Sequence, residues 1–153
     1  MAVAKSKRLQ VVERVADDHE RRRAQALALS ERRVGECEAK LEELRRYYAN
    51  YTHELAELSR AGIGAARLRE FQAFLARLDE AIRQQCDILA RAQAERDGAR
   101  HGWQHAAQRA EIIGQVVKRR QSEERRETER RDQRDSDERA QQSSTRKNHA
   151  NRT

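Results

Sequence analysis

Walking the chain from Leu27 in alternate steps of about three and four residues, the spacing of a coiled-coil seam, lands on Leu27, Ser30, Val34, Cys37, Leu41, Leu44, Tyr48, Tyr51, Leu55 and Leu58. Only Ser30 among them is polar. A second walk from Leu68 lands on Phe71, Leu75, Leu78, Ile82, Gln85, Leu89, Ala92, Arg96, Ala99, Trp103, Ala106, Ala110, Ile113 and Val117, with Gln85 and Arg96 as its polar members. A repeat near 3.5 residues keeps one stripe of a helix turned toward a partner helix. Before Leu27 the stripe thins to Leu9, Val12, Ala16 and Arg23.

The two arrays lie on either side of Gly62-Ile63-Gly64, and one antiparallel register serves both. Folding the chain back at Ile63 sets Leu58 on Leu68, Leu55 on Phe71, Tyr51 on Leu75 and Tyr48 on Leu78. Farther along it sets Leu44 on Ile82, Leu41 on Gln85, Cys37 on Leu89 and Leu9 on Val117, and it lays Arg23 over Trp103, where a cation–π contact is available. Gly62 is expected to close the first helix in a left-handed conformation, and Gly64 to start the second. A phosphate-binding loop also uses Gly-x-Gly, but it follows a strand, and no strand pattern precedes this one.

Beyond Val117 the run "KRRQSEERRETERRDQRDSDERA" carries charge on every face, and its Glu and Arg spacings support a single helix. From Gln141 the polar segment "QQSSTRKNHANRT" is expected to be disordered. The predicted fold is therefore all-α: a long antiparallel two-helix coiled-coil hairpin with a charged helical extension. Residues 1–140 form the hairpin, with helices over about 5–61 and 65–140, roughly 50 residues of each packed side by side, and a turn at 62–64; residues 141–153 form a basic disordered tail.

Composition agrees with thin seams between helices. The chain has 153 residues, 39% of them charged, 37% hydrophobic and 4% aromatic, with no proline and six glycines. An ordinary domain has about 25% charged and 45–50% apolar residues. No stretch approaches the ~18 apolar residues of a transmembrane helix. The start, "MAVAKSKRLQVVERVADD", lacks the apolar centre of a signal peptide, so a cytoplasmic protein is expected. Cys37 and Cys86 form no CxxC pair and are expected as free thiols.

No catalytic constellation is visible, and neither enzyme activity nor a cofactor is expected. His101 and His105 share a helix face but lack further metal ligands at a useful spacing, and they read as solvated surface residues. The net charge of +7 gathers at the chain ends, which carry no aromatic for base stacking, while the central charges cancel. No specific nucleic-acid role is expected. The flanks of the seam are more informative. Positions just before each a-type residue are Lys40, Tyr47 and Glu54 on the first helix and Phe74, Ala81, Ile88 and Glu95 on the second. Tyr47, Phe74, Ala81 and Ile88 thus form an apolar strip beside the seam. A wide-stripe helix can simply bury such a flank, but a two-helix hairpin has no third element to cover it, and an exposed apolar strip marks a partner site.

The run "LEELRRYYANYTHEL", then "AGI", then "LREFQAFLARLDEAIRQQ" resembles the flagellar type III export protein FliJ family, in its tyrosine-rich first-helix end, its small-residue reversal and its Phe-centred second-helix start. The matching residues are Tyr47, Tyr51, Ala61, Gly62, Ile63, Phe74, Leu78 and Ala81. The resemblance implies a non-enzymatic component of the flagellar export apparatus, cytoplasmic and peripheral to the inner membrane. Proteins similar to this one are stalk-like coiled coils that insert into the export ATPase ring, contact the cytoplasmic domain of the export-gate membrane protein and escort export chaperones. By position, the implied docking face comprises Leu44, Tyr47, Tyr51, Phe74, Leu78, Ala81 and Gln85, with Lys40 at its edge. Residue types at Lys40 and Gln85 depart from the family pattern, as do the Arg-rich first helix and charged tail, which leaves ATPase contacts unassigned. The rival readings are the equivalent stalk of a virulence-type secretion system and a structural coiled coil with no export role.

Overall fold

The computed structural model describes residues 2–152, with side chains from residue 5 to residue 152. Two helices account for nearly all of it: α1 spans Ala2–Ala61 and α2 spans Ala65–Ala150, and no strand occurs among the described residues. With no proline to remove a backbone donor, neither helix meets a strong breaker. Tertiary contacts divide the chain into two units. Arg21–His105 form one, here the turn unit; the described residues on either side of it form the other, the terminal unit.

In the turn unit α1 ends where Gly62 takes φ +92°, a value that L side chains avoid and glycine adopts freely. The Gly64 carbonyl accepts the Leu68 amide at 3.0 Å and so opens the first turn of α2. The helices then pack on each other. Val34, Cys37 and Ala92 form a buried cluster against which Leu89 packs, and Leu41, one turn along α1 from Cys37, is also buried. The Gln85 side-chain amide donates to the Cys37 carbonyl at 3.2 Å across the two helices. Farther from the turn Arg100 approaches Glu31 at 3.9 Å, and the Arg23 side chain lies over Gly102, where an added Cβ would stand 3.3 Å from Nη1. Contacting positions rise on α2 as they fall on α1, so the two helices run in opposite directions within this unit.

The terminal unit holds to the heptad phase rather than to local apolarity. Ser6, Ala106 and Val117 are buried, while Leu9, Glu13, Ala16 and Glu20 are half-buried. The expected stripe of Leu9, Val12, Ala16 and Arg23 needs correction at two places, since Val12 and Arg23 are exposed. Strict steps of three and four back from Leu27 pass the exposed Arg23 of the turn unit and then land on Glu20, Ala16, Glu13, Leu9 and Ser6, all of them half-buried or buried. The long seam beyond Leu27 fixes the rotational phase of α1, and the same helix carries that phase through its first turns. Glu13 therefore faces α2, one carboxylate oxygen 3.6 Å from where a Cβ on Gly114 would stand.

Disorder expected from Gln141 is not what the structure shows: α2 continues through Ala150, and only Thr153 of that segment lies outside the described residues. The stretch has no glycine or proline, and its hydroxyls back-bond within the helix. Ser143 and Ser144 donate to the carbonyls of Ala140 and Gln141 at 2.9 Å, and Thr145 to that of Gln141 at 2.8 Å. An exposed pair, Arg131 with Glu127 at 3.5 Å, lies in the preceding turns.

Candidate partner-docking site

The heptad places Tyr47 on α1 and Phe74, Ala81 and Ile88 on α2 at the same flank position of the seam. Tyr47 is 47% exposed, Ile88 41% and Phe74 36%, whereas Ala81 is half-buried. The Tyr47 hydroxyl donates to Glu43 Oε1 at 3.3 Å, one turn back on its own helix. Tyr51, a seam residue, turns its half-buried ring to Phe74 with centroids 4.6 Å apart and planes tilted by 58°. This tilted geometry suits two aromatic quadrupoles. Leu44 and Leu78 are half-buried in the seam beneath, and Lys40 is exposed.

Around the aromatic pair lies a shallow depression of about 190 Å³ lined by Tyr51, Arg67, Glu70, Phe71 and Phe74. The heptad by itself does not single out Arg67 or Glu70. Their signal was spacing: residues 67, 70, 71 and 74 fall on one face of a helix. Gln85 stands apart from the other candidates. It is only 5% exposed and its amide is spent on the Cys37 carbonyl, so it joins α1 to α2 rather than presenting a group to solvent. Tyr48, expected in the seam, is 37% exposed.

These side chains offer rings and aliphatic surface with a charged rim, which suits the anchoring of another macromolecule. Cys37 and Cys86 are free thiols. Among the described residues no group of three or more His, Cys, Asp or Glu is placed to hold a metal ion, and no helix is long and apolar enough to cross a membrane.

Against known families, the model of the flagellar FliJ protein matches residues 5–149. The chain belongs to the flagellar FliJ family. The match takes in both helices and the turn between them, and it makes this FliJ-family chain a protein related to flagellar export. No curated protein and no solved structure matches the chain.

Proposed function

We propose that this FliJ-family chain is a soluble, cytoplasmic, non-enzymatic stalk of the flagellar type III export apparatus. In this reading its two helices form an antiparallel coiled-coil hairpin that binds the export ATPase ring and docks on the cytoplasmic domain of the export gate. It also escorts export chaperones. The observation that carries the reading is the family match across 5–149. The exposed strip of Tyr47, Phe74 and Ile88 supports docking as the mode of action. The docking face comprises Leu44, Tyr47, Tyr51, Phe74, Leu78 and Ala81. Gln85 contributes from beneath, by holding the helix carrying Phe74 in register. A stalk of this kind acts on the ATPase by binding its nucleotide states unequally, which shifts their populations without any chemistry of its own.

The test is Tyr47→Ala combined with Phe74→Ala. Both rings are substantially exposed, so the fold should lose no more than the Tyr51–Phe74 contact, about 0.5–1.5 kcal/mol. Aromatic anchors dominate interface energies at about 2 kcal/mol or more each. Affinity for the gate's cytoplasmic domain should therefore fall by well over roughly tenfold, while stimulation of the purified export ATPase stays at the wild-type level. A variant that melts like the wild type and binds the gate at full affinity moves the docking face elsewhere. If the wild-type chain leaves ATPase turnover and ring formation unchanged at every concentration, the stalk role is lost.

A further inference from the structure

We propose that the terminal unit carries a second docking surface, a groove shaped and charged to take an amphipathic helix with an acidic rim from another protein. It shares no residue with the face around Tyr47 and Phe74, and it stands whether or not that face meets the export gate. The phase of α1 turns valines outward here. Val12 is 49% exposed and Val15 63%, and on α2 Ile112 is 61% exposed. Val12, Val15 and Ala16 of α1 and Ala106 and Ile113 of α2 line a groove of about 260 Å³ between the helices, with His19 and Arg109 at its edges. Apolar surface of this kind, unshared by any third element of the unit, is where helices dock by burying a stripe of their own.

Charge selects the occupant. On this flank of α1 the heptad brings Lys5 and Arg8 before Val12 and Val15, and His19 after them. On α2 it brings Arg109 before Ile112 and Val116, and Arg119 after them. All of these positions are exposed, and none of them is acidic. The opposite flank, by contrast, mixes Arg14 with Asp17 and Glu111 with Lys118. A helix whose aliphatic stripe is bordered by Asp or Glu would meet complementary charge along both edges. A second copy of the chain would set arginine against arginine. An anionic bilayer favours protruding Trp, Phe and Leu, whereas this surface is concave and lined by valine, isoleucine and alanine. Single-stranded nucleic acid requires stacking rings, which the groove does not have.

The experiment uses the full chain and a labelled synthetic helix of about 15 residues, near the shortest length that persists in water. It carries Leu at i, i+3, i+4 and i+7 with Glu on both borders, and a matched peptide carries Lys there instead. Fluorescence anisotropy should show saturable binding of the Glu peptide, weakened by salt, and none of the Lys peptide. Val12→Ser with Val15→Ser should reduce that binding by roughly tenfold or more, and Arg109→Glu should do so too. Arg109 is exposed, so its variant decides the matter if the double variant fails to fold. The proposal is overturned if the Glu peptide does not bind, if both peptides bind alike, or if Arg109→Glu binds unchanged. It is equally overturned if the wild type binds anionic vesicles more tightly than the peptide, or sediments as a dimer that Val12→Ser with Val15→Ser dissolves.

Discussion

Within the turn unit the heptad and the hydrophobicity agree: where the seam calls for a buried residue the chain supplies Val34, Cys37, Leu41 and Ala92. Within the terminal unit they disagree. Seam positions are held by Ser6, Glu13 and Glu20, while Val11, Val12 and Val15 face outward. Both units are built from the same two helices, so helix propensity does not explain the contrast. What differs is which residues the phase of the helix delivers to the interface. The turn unit buries apolar residues in its seam and shows others, Tyr47, Phe74 and Ile88, on a flank. The terminal unit puts polar residues into the α1 side of its seam and turns the neighbouring valines outward.

The sharpest way to break this comparison is to remove a seam residue from the turn unit. Leu41→Ala creates a void in a well-packed site and should cost about 2–5 kcal/mol, read as an early melt by circular dichroism. If Leu41→Ala melts like the wild type, the turn unit is not the stabilising part of the molecule. A smaller effect of opposite sign is expected at Glu13. Placing leucine at this half-buried seam position should raise stability by about 0.5–2 kcal/mol, because it lets apolarity agree with phase in the terminal unit too. Destabilisation by Glu13→Leu would show that the carboxylate is needed beside Gly114. The smallest effect belongs to Val15→Ser, an exposed substitution expected within about 0.5 kcal/mol of wild type in chemical denaturation. A loss as large as that of Leu41→Ala would mean that Val15 is core and that the terminal groove is already filled.

How far the sequence could be read follows the same division. From Leu27 to His105 the stripe is dense, and the reversal at Gly62 and the burial of Val34, Cys37, Leu41 and Ala92 follow from counting along it. Before Leu27 the reading followed the apolar side chains to Val12, and the structure followed the heptad to Glu13. A few local valines cannot rotate a helix whose phase is set by a long seam farther along. The exposed aromatics Tyr47 and Phe74 were legible because a flank position is a matter of counting. The tie between Gln85 and the Cys37 carbonyl was not, since a polar residue in a seam reads as a flaw until its partner is known. Tyr48 departs in the opposite direction: a long ring with a polar tip can leave the seam and reach water. At the far end, a polar composition suggested disorder, but low hydrophobicity does not by itself forbid a helix, and residues 141–153 hold neither glycine nor proline to break one.

The single reversal at Gly62 also sets an order of events in folding. Tyr51 and Phe74 are joined by a short loop and can meet early. Cys37 and Gln85 are 48 residues apart along the chain, and Glu13 and Gly114 lie farther apart still. Closing a flexible loop costs more as it lengthens, by about 0.6 kcal/mol for each doubling, but each contact made near the turn shortens the loop left for the next. The chain should zip from the turn toward its ends and fray in the reverse sequence. The end that closes last is the one whose seam contains glutamates and whose valines face solvent. A helix bound in that end would act as a clasp, holding shut the part of the molecule that opens first.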